Sequence, residues 1–373
     1  MRKSKRFVAL ALVATFGLVA AACNDDDDDD GTTDDTTAET TGGSDDTTAV
    51  TEAPGDTTAP GDTTPAGAAL NVGIAFDTGG RGDGTFNDSA ARGADKATDE
   101  LGVTIDELEA TTAEDRGPNL ETLTSNGDTP IIAVGFAFST DLATVAAANP
   151  DTQYAIVDGF IPDAPANVTH LAFAEQEGSF LVGAAAALKS ESGHIGFIGG
   201  QEGALIKRFE AGYTAGAKYV NPDIVVEVQY LGPDGDNTAW TSPDEAKQIA
   251  NGWYADGVDI IYTAAGGSGA GTIEAAVESD AWAIGVDSDQ YGTATPEQQA
   301  HILTSMLKRV DTAVFEVIKA AQDGTLEGGF VTYDLSVDGV GYSTSGGYLD
   351  DVVDQLEEIK AAIIAGDIEV PSE

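Results

Sequence analysis

The chain has 373 residues, with 17 Lys and Arg against 64 Asp and Glu and a formal net charge of −47. A field of that sign repels nucleic acid, which excludes DNA and RNA as partners. The single cysteine, Cys23, excludes an internal disulfide and a Cys-based metal site.

Arg2, Lys3, Lys5 and Arg6 precede an apolar run of 16 residues over 7–22, shorter than the ~20 residues a membrane helix needs. The run ends Leu18-Val19-Ala20-Ala21-Ala22-Cys23. Small residues directly before a unique cysteine resemble a bacterial lipoprotein signal, so residues 1–22 are expected to be removed and Cys23 to carry lipid. The alternative is a plain secretory signal cut near the alanines. Residues 23–69 are rich in Asp and Thr, with an unbroken acidic run from Asp25 to Asp30. They lack the apolar residues that offset chain entropy, and are expected to be a disordered acidic tether, reaching about 40 Å as a flexible coil. From Leu70 onward 13 basic residues face 50 acidic ones, a net of −37. The folded part therefore repels itself, and salt relieves the repulsion.

Beyond Leu70 short apolar runs alternate with helical patterns. Strands are predicted at 71–76, 103–108, 130–134, 153–157, 168–173, 194–198, 224–229, 259–262 and 282–286. Helices are predicted at 87–101, 114–126, 140–148, 177–190, 204–220, 243–255, 269–278 and 307–322, with a last one at 348–365. Continuous apolar strands are those covered on both faces. Four strands before about residue 160 and more after 193 predict two sheets, hence two doubly wound α/β lobes.

The first strand runs into a glycine-rich corner, Asp77-Thr78-Gly79-Gly80-Arg81-Gly82-Asp83-Gly84-Thr85-Phe86-Asn87. Ligands of open α/β sheets sit at the carboxyl ends of the strands, where Asp77, Asp83, Phe86 and Asn87 fall. Asp158-Gly159, Ala264 to Gly269 and Asp287 to Gln290 follow three later strands in the same way. One Asp after a strand is ordinary helix capping; four strands ending in Asp or Gly on one edge fit a cleft between facing lobes. The dinucleotide pattern G-x-G-x-x-G fails at Thr85 and again at Thr272, and no phosphate-cradling loop occurs. His170, His194 and His301 are far apart in sequence, so neither a metal site nor a cofactor is expected. Gly266-Gly267-Ser268-Gly269-Ala270 approximates a nucleophile elbow, with His301 following Asp287 and Asp289. The simpler reading of those glycines is backbone N–H groups placed near a ligand.

Phe86-Asn87, Gly178-Ser179-Phe180-Leu181-Val182-Gly183, Gly196-Phe197-Ile198-Gly199-Gly200, Phe209-Glu210-Ala211-Gly212-Tyr213, Ala264 to Gly269 and Ile284 to Gln290 together resemble the basic membrane protein family. These are lipoprotein substrate-binding components of ABC transporters, of which the best understood bind purine nucleosides. The resemblance implies a type I periplasmic-binding-protein fold: two α/β lobes, three hinge crossings and a ligand between them. On that pattern the substrate-binding domain is 70–373. Its first lobe is about 70–172 plus 290–323, and its second about 173–289 plus 324–373. The resemblance implies that Phe86 and Phe209 sandwich the base and that Asn87 and Asp158 meet its edges. It places Asp77, Gly266, Asp287 and Lys308 around the ribose. The glycine-rich loop with Arg81 departs from the family pattern. The expected protein is not an enzyme. It is an extracytoplasmic, lipid-anchored, monomeric receptor that hands a purine nucleoside to an ABC permease and ATPase. A receptor for another solute, such as a sugar or autoinducer, and a surface adhesin or sensor are the rival readings.

Overall fold

A computed structural model describes residues 70–373; the signal segment, Cys23 and the acidic tether lie outside the described residues. In chain order the elements are β1 (Asn71–Phe76), α1 (Phe86–Leu101), β2 (Thr104–Glu109), α2 (Arg116–Asn126), β3 (Ile131–Val134), α3 (Ser139–Ala148), β4 (Tyr154–Val157), β5 (Val168–Phe173), α4 (Glu175–Lys189), β6 (His194–Glu202) and α5 (Ala204–Val220). They continue with β7 (Val225–Pro233), α6 (Pro243–Ala255), β8 (Ile260–Ala264), α7 (Gly269–Ser279), β9 (Trp282–Asp287), α8 (Pro296–Gln299), β10 (Ile302–Lys308), α9 (Val310–Gln322), β11 (Gly329–Tyr333), β12 (Val340–Tyr342) and α10 (Val353–Ala365).

The apolar runs are strands because both their faces are covered. Every residue of β3, β4 and β8 is buried, as is β1 after Asn71, the pattern of a parallel sheet with helices on each side. Two sheets result, in the orders β11-β5-β4-β3-β1-β2 and β12-β10-β9-β8-β6-β7. All pairings are parallel except that of β10 with β12. Within each sheet the first five strands have the order 2-1-3-4-5, so each reverses direction of growth between its first and third strands. Crevices at such reversals are where doubly wound folds take ligands.

The lobes are more interleaved than the sequence reading expected. Residues 302–308, assigned to the first lobe and partly to a helix from 307, form β10 of the second sheet. The strand at 329–333, assigned to the second lobe, pairs with β5 at the edge of the first. Helix α9 does cover the first sheet: it packs on α1, where a Cβ on Gly93 would lie 2.3 Å from Asp311 O. The chain thus passes between sheets three times, after β5, after β10 and between β11 and β12.

Two of the glycine motifs explain themselves in the packing of α4 on α5. A Cβ on Gly183 would lie 2.1 Å from Tyr213 O, one on Gly212 2.1 Å from Gln176 O, and one on Gly216 1.9 Å from Phe180 O. The two helices therefore meet backbone to backbone. A methyl group at any of the three would drive them apart, at about 1–3 kcal/mol for overpacking.

Candidate ligand-binding site

The carboxyl ends of both sheets face one cavity of about 430 Å³. All eight residues singled out from the sequence line it: Asp77, Phe86, Asn87 and Asp158 from the first lobe, and Phe209, Gly266, Asp287 and Lys308 from the second. The walls touch across it. Ser288 Oγ donates to Thr85 O at 2.7 Å and accepts from Arg92 Nη2 at 2.9 Å. Phe136 of the first lobe meets Trp240 of the second edge-on, at 6.3 Å between ring centroids.

The glycine corner is a capping device. Gly79, Gly80, Gly82 and Gly84 all have positive φ, which lets the chain fold back over the start of α1. Asp83 then accepts from the backbone N–H of Thr85, Asn87 and Asp88 at 2.8–3.1 Å, filling orphan donors of the first helical turn. Its Oδ2 also accepts from Asn87 Nδ2 at 3.1 Å. Arg81 is turned outward and held by Glu107 and Asp95, so it contributes no charge to the cavity. Asp77 is held from behind: Arg116 reaches its Oδ1 with Nε at 2.8 Å and Nη2 at 2.7 Å.

Asp158 and Asp287 both have φ of 63°, a left-handed conformation that non-glycine residues adopt at some cost and that clusters at functional sites. Each stands at the end of a strand, one in each lobe, with Lys308 between. Lys308 Nζ lies 2.5 Å from Asp158 Oδ2 and 3.2 Å from Glu175 Oε1. It also lies 5.0 Å from the centroid of Phe173, 5.4 Å from that of Phe86 and 5.5 Å from that of Phe209, so rings from both lobes approach the same ammonium.

This is a buried cluster with more anions than cations. Burial alone would lower the Lys308 pKa, but Asp158, Glu175 and Asp287 outweigh it and hold the ammonium above its ordinary range. Burial pushes Asp287 up to about 7; Lys308 opposes this, while Asp158, Asp83 and Glu175 add to it. Burial likewise raises Glu175, against the pull of Lys308.

Sequence reasoning missed Arg116, Glu175, Phe136 and Trp240. Only Glu175 left a signal, as an acid just beyond a strand like Asp77. The hydrolase alternative fails on geometry. Ser268 Oγ is fully buried, accepting from Ser242 N at 2.7 Å and donating to Ala239 O at 2.8 Å. His301 is hydrogen-bonded through Nδ1 to Ala281 O at 2.9 Å. Ser268 ties two loops together and has no base beside it.

The model of the Bmp family, described as "ABC transporter substrate-binding protein PnrA-like", matches residues 70–373. The chain belongs to the Bmp family. It is therefore a substrate-binding protein of the ABC transporter type and not an enzyme. A CD4+ T-cell-stimulating antigen of Listeria monocytogenes is 37% identical over 314 residues, which are 79% of this chain and 86% of that one. The ABC transporter nucleoside-binding protein BmpA of Lactococcus lactis is 34% identical over 314 residues, covering 79% and 87%. Among solved structures, an ABC transporter solute-binding protein from Aeropyrum pernix K1 is similar with a TM-score of 0.72 at 29% identity, covering 82% of this chain and 94% of that one. The two-lobed periplasmic-binding-protein fold expected of a Bmp-family chain is the one observed.

Proposed function

We propose that this Bmp-family protein captures a purine nucleoside between its lobes and delivers it to an ABC permease. The observation that carries the reading is that Phe86 of the first lobe and Phe209 of the second line one cavity, each within 5.5 Å of the same buried ammonium, with carboxylates from both lobes around it. A flat heterocycle gains about 0.5–1.5 kcal/mol per aromatic face beyond the area it buries. Asn87 and Asp158 meet the base edge. Asp77 and Asp287 accept from sugar hydroxyls, in charge-assisted bonds worth about 1.5–3 kcal/mol each. Gly266, with φ of 55°, brings backbone close to the sugar. The Lactococcus relative is named for nucleoside binding, which favours this solute over a sugar or an autoinducer. Transport rests on unequal affinity of the open and closed forms.

Calorimetry with adenosine, guanosine, inosine and uridine on folded, ligand-free protein tests the reading. A purine nucleoside is expected to bind, and Phe86→Ala to weaken it at least tenfold. Silence with every purine nucleoside removes the nucleoside and leaves the ABC role. We place the protein on the extracytoplasmic face of the membrane as a lipid-anchored monomer. Cys23→Ala is then expected to move it from the membrane fraction to the soluble one; retention on the membrane refutes the anchor.

A further inference from the structure

The base edge of the cavity is set up to accept hydrogen bonds and not to give them. Asn87 could in principle do either. Its amide is oriented by Asp83, whose Oδ2 takes Asn87 Nδ2 at 3.1 Å. An ionised carboxylate has no proton to offer, so the reverse orientation would set two acceptors against each other. Asn87 Oδ1 is thereby turned away from Asp83; it is buried and has no partner. Asp158 is in the same condition. Its Oδ2 is occupied by Lys308, and its Oδ1 is buried without a partner. Both side chains are more than nine-tenths buried, and both line the cavity. Lys308 Nζ, bound to Asp158 Oδ2, also lies within 5.5 Å of the Phe86 and Phe209 ring centroids, which puts the Asp158 carboxylate close to both rings. Lys308 itself is engaged by Asp158 and Glu175.

Buried acceptors left empty are costly, and a ligand that fills them with N–H groups recovers that cost. We infer that the site selects 6-oxopurine nucleosides over 6-aminopurine ones, an inference that rests on the nucleoside reading above. Guanine offers N1–H and the 2-amino group side by side, two donors for a carboxylate and an amide oxygen. Hypoxanthine offers N1–H alone. Adenine offers N–H only at its 6-amino group, and the N1 lone pair beside it would face the second acceptor with an acceptor. Sites built around a substrate N–H reject analogues that lack it far more strongly than hydrophobic pockets reject a missing methylene.

Titration calorimetry of folded, ligand-free protein with guanosine, inosine, 1-methylinosine and adenosine separates the cases. Guanosine is expected to bind at least tenfold more tightly than adenosine, with inosine between them and 1-methylinosine weakened at least tenfold from inosine. Asp158→Asn should shrink the guanosine-to-adenosine ratio at least tenfold, because an amide can turn a donor toward adenine N1. The ratio is informative even if the variant loses affinity for both. A wild-type gap below tenfold, adenosine ahead of guanosine, or a ratio untouched by Asp158→Asn overturns the selection while leaving nucleoside capture in place. Absence of binding by every purine nucleoside overturns both.

Discussion

Lys308→Met is expected to lower folding stability by about 3–5 kcal/mol. Lys308 is 1% exposed and touches two carboxylates. Removing it leaves Asp158 and Glu175 buried without their cation, and one partner's loss costs far more than the intact pair contributes. The pH dependence separates this cause from lost packing. Lys308 titrates above its ordinary range, so its contribution is fully present below its unfolded pKa and is lost only at strongly alkaline pH. It is constant between pH 5 and 8. The orphaned carboxylates are not, because each escapes its penalty by taking up a proton. The deficit of the variant, read from urea unfolding midpoints, should therefore be larger at pH 8 than at pH 5. A loss below 1 kcal/mol, or one independent of pH, would show that the cluster is satisfied without its lysine.

The second large effect is on binding, through Asp287. Its carboxyl is raised from 3.8 to about 7, by burial first of all. In the proposed complex, hydroxyl donors from the sugar would favour the ionised form, so affinity should fall as pH drops below about 7. The fall approaches tenfold per pH unit for one linked proton, and reaches about fiftyfold between pH 7 and pH 5. The empty protein responds in the opposite sense. A carboxyl with a raised pKa contributes stability that is present below its unfolded pKa and is lost as pH rises through about 7, so the ligand-free form gains from acidification, and binding must overcome that gain. The thermal shift caused by ligand should thus shrink in acid. Asp287→Asn should bind more weakly at pH 8 but with a nearly flat profile from pH 8 to 5. A wild-type affinity unchanged across that range would remove Asp287 from the sugar contacts.

Nine strands were legible: most are short apolar runs between turn residues, while the edge strands β2 and β7 mix apolar with polar or charged residues, and the cavity was legible because its residues lie just past the ends of such strands. The failures have physical causes. In β10, Thr304 and Ser305 interrupt the apolar run, and only the fold supplies what makes them acceptable there: Thr304 Oγ1 donates to Ser343 O, and Ser305 Oγ accepts from Gln290 N. Strand β11 is exposed nearly throughout, so it carries no core signature, and β12 has three residues. Arg116 reads as an ordinary first-turn residue until Asp77 is seen in front of it. Asp83 was recognisable as an acid of the corner, but its task of capping α1 and turning Asn87 depends on a loop path that sequence spacing does not specify. Trp240 and Phe136 come together only when the lobes face each other.

The late position of β11 bears on how the protein can be made. The first sheet acquires its outer strand only after β10 of the second has been synthesised, so no fragment that stops short of Tyr333 contains a finished first sheet. Until Tyr333 emerges, β5 is a raw edge with unpaired amides and carbonyls, open to wrong partners. Pairing across so long a stretch of intervening chain is also slow. A polypeptide arranged in this way stays slack until nearly all of it is present, which suits one that must be threaded through a membrane before it becomes rigid.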